Sequence, residues 1–366
     1  MIFNQSLNNS NINLSVNTFG REWYVKRFMH IFYGVLASIA ILGNGIVCIV
    51  ILTRKKGKMM KSSLNLLILS MAIMDTMTGI LMFVVPSFVI PVADYVYPKN
   101  QIAGSMFCRI IASQYAIFYF GFGSVFTITA IAIERWIAIA KPYIYRHFVT
   151  VKRTKLFVAC LWIVNIGIPL DIIFQIDFIK NQQPPCKWNS FVRKPPGVYL
   201  FVMLEIIRLY LPVVIILSCY IDITRRVINT SPTILVAQAK SASSNVSHSQ
   251  PARRATNTVN ARRKVTIMVA ASALAFIICW LPNEMYFTLY ALNIISYNIN
   301  IIRTTKTLIV TSSCLSPFIY AATNDDYRKG IISLINYCKS PSTLLPSKSY
   351  LGNVITPVES KITTTY

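Results

Sequence analysis

The stretch IFYGVLASIAILGNGIVCIVIL, residues 31–52, contains no charged side chain. An α-helix needs about 20 mostly apolar residues to cross the hydrocarbon core of a bilayer, so this stretch is long enough to do so. Lipid offers the backbone no hydrogen-bond partners, and a single segment inside it must therefore satisfy its own N–H and C=O groups as a helix. The stretch predicts a transmembrane helix.

Further apolar stretches of similar length follow along the chain. The ionisable residues inside them are few: Asp75, Asp171, Glu205 with Arg208, and Glu284. Together with residues 31–52, these six apolar stretches predict an all-α fold, a bundle of seven transmembrane helices. The six further predicted spans are residues 64–92, 110–133, 156–174, 198–221, 265–292 and 307–324.

Composition and charge agree with a membrane protein. Of the 366 residues 54% are hydrophobic and 13% are charged, with a net charge of +24. Basic proteins often bind nucleic acid, but here the positive charge lies between apolar blocks, so we expect a lipid bilayer and no nucleic acid as the partner. Lys and Arg are roughly twice as frequent after spans one, three, five and seven as on the other side. This bias predicts a multi-pass plasma-membrane protein with an extracellular N-terminus.

The parts outside the spans divide the chain. We expect residues 1–28 to form an extracellular tail glycosylated at the sequons of Asn4, Asn8 and Asn13, although sequons are also common by chance. Residues 227–262 are predicted to be a flexible third cytoplasmic loop, and residues 339–366 a disordered cytoplasmic tail. We expect neither a metal site nor an enzyme, because Cys and His form no ligand cluster and no nucleophile–base set is evident.

Short motifs inside the spans carry a resemblance. The motifs are Gly43-Asn44, Asp75, Cys108, Glu134-Arg135-Trp136, Trp162, Pro212 with Tyr220, Phe276-x-x-Cys279-Trp280-x-Pro282, Ser316-Pro317-x-x-Tyr320 and Tyr327-Arg328-Lys329. Each alone is weak, but together, in this order, they make residues 29–338 resemble the rhodopsin-like (class A) G-protein-coupled receptors. Residues 123–135 also resemble the matching stretch of melatonin-type receptors. The resemblance adds a short amphipathic cytoplasmic helix after the seventh span.

The resemblance implies a switch that activates a heterotrimeric G protein. Glu134 would hold Arg135 at rest and release it to meet Tyr220 and the G protein when the sixth helix moves outward. The alternative is that both charges only anchor the helix end at the interface. The implied hinge and switch residues, in which proline weakens the helix locally, are Phe276, Trp280, Pro282, Pro317 and Tyr320.

The resemblance also implies a polar core around Asp75. A charge at mid-membrane is costly and marks a functional site by default. The oxygen-rich surroundings could hold a sodium ion, which is the only cofactor that we expect; the alternative is a hydrogen-bonded structural carboxyl. The implied neighbours of Asp75 are Asn44, Ser124, Ser312, Ser313 and Ser316.

Two further features follow from the same resemblance. It pairs Cys108 with Cys186 in a disulfide on the extracellular side. Cys338, just beyond the final helix, is either a palmitoylation site or an idle thiol. The Ser/Thr-rich tail suits arrestin and a receptor kinase as partners.

The ligand-binding candidates are Tyr115, Glu205, Arg208, Glu284 and Lys306. Residues 110–133 lack the acid that is typical of amine receptors, and Val310 stands where opsins bear the retinal lysine. Glu205 and Arg208 either neutralise each other or present charge to a ligand. Charges of both signs favour a peptide, with small molecules of amine, indole or lipid type as alternatives.

The facing of upper span three is ambiguous. Cys108 and Arg135 lie two residues further apart than is usual in the family, which leaves either Tyr115 or Ile117 near the ligand. Two residues turn a helix by about 200°, so the choice changes the face completely.

Two other functions compete with a signalling receptor. A seven-helix transporter or channel is disfavoured because no internal repeat is visible. A receptor-shaped protein with weak or no signalling is suggested by Trp136, Ser316 and Gln101, which depart from the family's usual Tyr, Asn and Trp.

Overall fold

The computed structural model describes residues 3–229 and 250–339, and its fold is a bundle of seven membrane helices, here called spans one to seven. By length and composition, five helices of the described part could cross a membrane: Arg27–Thr53, Ser63–Val84, Gln101–Ala140, Gly197–Arg226 and Lys264–Ala291. They belong to spans one, two, three, five and six. The complete helices of spans one and six are Phe3–Thr53 and Gln250–Ala291, so span six begins inside the predicted loop 227–262. Span five continues to Asn229 through the helix Leu211–Asn229.

Spans four and seven are less apolar or less regular than the other five. Span four is the helix Val151–Val164, followed by turns and the 3-10 helix Leu170–Phe174. Gly167 and Pro169 interrupt the predicted single helix 156–174, as helix breakers do. Span seven, Ile299–Thr323, begins eight residues before its predicted start, and this added part is polar.

Span two ends earlier than predicted. It covers Ser63–Val84, and Val85 is already extended with φ −81° and ψ 129°. Pro86 follows, and a residue before proline is disfavoured in the helical region. The apolar residues up to position 92 therefore belong to a loop.

Shorter elements complete the described part. The final helix, Asp325–Lys339, follows span seven, as expected for the short amphipathic helix. A two-stranded antiparallel sheet pairs Ile176–Phe178 with Cys186–Trp188, and the helix Pro142–Phe148 follows span three. The Cys108–Cys186 disulfide ties this sheet to span three, confirming the pairing. The end of the bundle that carries it is called the disulfide end, and the opposite end the Arg135 end.

The outer faces of the bundle keep large apolar side chains exposed. Leu42, Ile163 and Phe318 are 66%, 68% and 61% exposed. Apolar surface this extensive is unusual for a soluble protein, and lipid provides its cover. Inside, Met71, Ile128, Met268 and Tyr320 pack into one core that joins spans two, three, six and seven.

Candidate functional site

A cavity of about 230 Å³ opens at the disulfide end. Its walls are largely aromatic, with Phe118 and Phe122 from span three, Phe201 from span five and Phe287 from span six. Trp188 of the sheet covers it. An apolar cleft with a few polar groups is the usual form of a ligand site.

Three of the five predicted ligand residues line this cavity: Arg208, Glu284 and Lys306. Glu205 lies behind Arg208 and is not a lining residue. The structure does not place Tyr115 at the cavity. Its hydroxyl donates to the carbonyl of Ile166 on span four at 2.6 Å.

The reason is a break in span three. Its first helix, Gln101–Phe107, continues as a π-helical turn over Cys108–Ala112. Gln114 then adopts a left-handed conformation with φ 68°, after which the regular helix Tyr115–Ala140 begins. The break lies where the two extra residues were noted, and it places Ser113 and Gln114 on the cavity wall. Both were missed, because a one-dimensional pattern assumes an uninterrupted helix.

Arg208 is the centre of a buried ion cluster. Its Nη1 donates to Asp171 Oδ1 at 2.8 Å and its Nε to Glu205 Oε1 at 3.1 Å, while Nη2 also bonds Glu205. The guanidinium lies over the rings of Phe122 and Phe201, 4.9 and 5.2 Å from their centroids. Of the two alternatives for Glu205 and Arg208, the structure shows mutual neutralisation.

Asp171 was not predicted as part of the site. It is fully buried, near the end of span four. A signal was present in the sequence, because a carboxylate inside an apolar span needs a partner, and Arg208 is the basic residue of the next span.

Glu284 lies at the cavity without a cationic partner among the described side chains. Asn283 Nδ2 donates to its Oε1 at 3.0 Å, and Thr305 Oγ1 donates to Asn283 Oδ1 at 2.9 Å, joining span six to span seven. Glu284 also lies beside Glu205. Lys306, which follows Thr305, forms no ion pair within the described part of the chain.

Trp280 connects the cavity to the polar core. Its ring packs against Phe122 and Phe276, with centroids 5.3 and 5.2 Å apart. Its Nε1 donates to Ser312 Oγ at 3.1 Å. A Cβ atom at Gly121 would collide with the indole, so glycine is required there. The tryptophan is thus in contact with residues of both regions.

The predicted polar core is assembled around Asp75. Its Oδ1 accepts hydrogen bonds from Ser124 at 3.2 Å and Ser313 at 3.0 Å, and Asn44 Nδ2 donates to the carbonyl of Ser313 at 2.8 Å. Asp75 Oδ2 and Asn44 Oδ1 have no hydrogen-bond partner among the described residues. A space of about 10 Å³ adjoins Asp75, lined also by Ser312, Ser316 and the unpredicted Ser272.

At the Arg135 end, Arg135 bonds both carboxylate oxygens of Glu134, as expected for a resting pair. Tyr145 donates to Glu134 Oε1 at 2.7 Å; burial, followed by the charge of Glu134, raises the pKa of Tyr145 to about 12. The Tyr220 hydroxyl lies near Arg135 but has no hydrogen-bond partner in the described part.

Span six offers Arg135 no carboxylate, because the sequence has no acidic residue between Asp222 and Glu284. Instead, Lys264 Nζ of span six donates to Asp325 Oδ2 of the final helix at 3.0 Å. This bond lowers the pKa of Asp325, with the charge of Lys264 as the second cause.

Two departures from the family's motifs have partners in the structure. Trp136 Nε1 donates to Asp222 Oδ2 of span five at 2.7 Å. Ser316 lines the space beside Asp75. Pro282 and Pro317 lie inside the helices of spans six and seven, at the predicted hinges.

The predicted modification sites lie outside the described side chains. This holds for Asn4, Asn8 and Asn13 and for Cys338. Within the described residues, no group of three or more His, Cys, Asp or Glu side chains could hold a metal ion.

Three comparisons with known proteins give one result. The family model "7 transmembrane receptor (rhodopsin family)" matches residues 43–320. An Allatostatin-A receptor of Bombyx mori is 25% identical to this chain, over 87% of this chain and 82% of that receptor. A QRFP-like peptide receptor of Branchiostoma floridae is 26% identical, over 87% of this chain and 80% of that receptor. A Galanin receptor 2a of Danio rerio is 24% identical, over 87% of this chain and 81% of that receptor. The crystal structure of squid rhodopsin shares the fold, with a TM-score of 0.67 and 19% identity over 87% of both chains.

Proposed function

The chain belongs to the rhodopsin family of seven-transmembrane receptors, and on that premise we propose that it binds an extracellular peptide and activates a heterotrimeric G protein. The family is one of receptors and not of enzymes. Peptide receptors among the relatives support the ligand class: a QRFP-like peptide receptor covers 87% of this chain. The N-terminus and the disulfide end would face outward from the plasma membrane, and the Arg135 end the cytosol, in agreement with the distribution of Lys and Arg.

One observation carries the signalling part of the proposal. Arg135 is held by Glu134, while the Tyr220 hydroxyl nearby has no partner in the described part of the chain. An outward movement of span six would open this end and let Arg135 exchange Glu134 for Tyr220 and the G protein. Span six has no acid before Glu284, and the described residues that hold the arginine are Glu134 and Tyr145.

The path from ligand to switch runs through Trp280. A ligand in the cavity would contact Phe122, whose ring packs against Trp280. It would also contact Glu284, which lies one helical turn after Trp280 in span six. Pro282 lies between Trp280 and Glu284 and removes a helix hydrogen bond, which makes this turn the weakest point of the span. Ligand binding would therefore shift span six from its resting position toward its outward position, as the activation of a receptor requires.

A sodium ion beside Asp75 would stabilise the resting state. The residues fit such an ion, since hard cations prefer oxygen ligands and the Asp75 carboxylate is surrounded by serine hydroxyls. Asp75 Oδ2, which has no partner among the described residues, would be one ligand. The space of about 10 Å³ suits a single small ion or water.

The test of the function is a cell assay. Cells that express the chain are exposed to a peptide library, and second messengers are recorded together with surface expression of an N-terminal tag. Activation by one or more peptides, lost in Arg135→Ala at equal surface expression, supports the proposal. Peptide responses that persist in Arg135→Ala would refute the switch. An N-terminal tag that antibodies reach only after permeabilisation would refute the orientation. Recruitment of arrestin after activation would extend the proposal to the Ser/Thr-rich tail.

A further inference from the structure

Three buried acids lie at the cavity wall of the disulfide end or directly behind it. Asp171, Glu205 and Glu284 are each at most 2% exposed, and they converge on one guanidinium, that of Arg208. Asp171 and Glu205 already occupy Nε, Nη1 and Nη2 of Arg208. Glu284 lies near this guanidinium but forms no ion pair with it within 4.0 Å in the described part of the chain.

The acids also have free hydrogen-bonding capacity. Glu205 Oε2 is buried and accepts no hydrogen bond from any described residue. Glu284, beside it, receives one bond from Asn283 and forms no ion pair in the described part of the chain. A buried carboxylate without a cation is costly, so a site that keeps it has a use for the charge.

The remaining basic side chain of the cavity does not supply that cation. Lys306 lines the cavity from span seven, but it lies beyond 4.0 Å of every described carboxylate. Asn283 and Thr305, the residues that precede Glu284 and Lys306, are hydrogen-bonded to each other. Glu284, which lines the cavity beside the buried Glu205, is therefore open to a cation that comes from outside the chain.

We propose that the ligand of this cavity carries a cationic group, a guanidinium or an ammonium, that binds Glu284, the one acid among the cavity-lining residues of the described part. The lining rings of Phe118 and Phe287 suit such a group as well, because an aromatic face attracts a cation. For a peptide ligand the group is a basic side chain or the N-terminal amine. The inference rests on the proposed function only in taking the cavity as the ligand site.

The experiment uses the purified full-length receptor and measures its melting temperature. The probes are N-acetyl-arginine amide, which is cationic, and N-acetyl-citrulline amide, which has nearly the same shape and no charge. We expect the arginine probe to raise the melting temperature and the citrulline probe not to. In Glu284→Gln the rise should disappear. In the matched control Asp94→Asn, an exposed acid at the same end that does not line the cavity, it should remain.

A second readout needs no probe. If Glu284 holds an uncompensated charge, Glu284→Gln should melt at or above the temperature of the unmodified receptor when no ligand is present. A lower melting temperature would show that Glu284 belongs to a satisfied structural network, which overturns the proposal. Equal stabilisation by both probes, or no stabilisation by the arginine probe, overturns it as well.

The outcomes separate this inference from the proposed function. Binding of the cation by purified protein requires no G protein, so it can succeed where signalling fails. Conversely, an activating peptide whose potency is unchanged when its basic groups are replaced by neutral ones would leave the receptor function intact and refute the cationic subsite.

Discussion

The two ends of the bundle both contain ion pairs, but in opposite surroundings. At the disulfide end the Arg208 side chain is 3% exposed and its partners Asp171 and Glu205 are fully buried. At the Arg135 end Lys264 and Asp325 are 58% and 45% exposed. Water screens the charges of the exposed pair, so that pair contributes little to stability. In the buried cluster, removing one member leaves the other charges without a partner, which is costly. Burial, and not the type of pair, thus decides how much each pair contributes to stability; the Arg135–Glu134 pair, 14% and 6% exposed, lies between these two cases.

The strongest test of this contrast removes a guanidinium from each end of span five. Arg208→Leu should lower the free energy of unfolding by about 3–5 kcal/mol, because two buried carboxylates lose their partner. Arg226→Leu removes an exposed pair with Asp222 from the same span and should change stability little. Melting temperature in detergent and surface expression measure both. Equal losses in the two variants would break the comparison.

The second test asks whether the Arg135 end is indeed made for rearrangement. Arg135→Ala should abolish G-protein activation while the melting temperature falls less than in Arg208→Leu, since Arg135 pairs with a single carboxylate that Tyr145 also binds. Second messengers and melting temperature are measured on the same preparations. A large fall in melting temperature would place Arg135 with Arg208 among the structural charges.

The third test concerns Asp75, which lies between the two ends. Asp75→Asn keeps the shape and removes the charge, so the effect of sodium on agonist affinity should disappear while the receptor still folds. Agonist binding is compared in sodium and in choline salts. Persistent sodium sensitivity in the variant would contradict an ion at this carboxylate. Ser70→Ala, which removes the hydrogen bond from Trp162 between spans two and four, is a control that should retain the sodium sensitivity.

The smallest effect is expected at the Lys264–Asp325 pair. Asp325→Asn removes an exposed bond between span six and the final helix, so basal signalling should rise by less than about fivefold. Because Lys264 lowers the pKa of Asp325, the bond is present at neutral pH and is lost as the pH falls through that lowered value. Basal second-messenger levels at matched expression decide the point, and a fall would contradict a restraining role.

The sequence was sufficient wherever the physics is local. Apolar length predicted the membrane helices, and the prolines at positions 86 and 169 account for the two spans that end earlier than predicted. Glu134 and Arg135 are neighbours in the sequence, whereas the group around Asp75 was implied by the resemblance to the receptor family; the structure brings both together. Glu205 and Arg208, three residues apart, were recognisable as neighbours.

The third partner of that pair was decided only by tertiary structure. Asp171 is 37 residues from Arg208 in sequence and meets it because the 3-10 helix Leu170–Phe174 at the end of span four contacts the first part of span five. The facing of upper span three was equally hidden, since a π-helical turn and one left-handed residue turned Gln114, and not Tyr115, toward the cavity. Each added residue rotates a helix by about 100°, so a local irregularity redirects every side chain beyond it. Hydropathy along the chain therefore determined that there are seven spans, while the contacts between them determined which charges are compensated and which is left for a ligand.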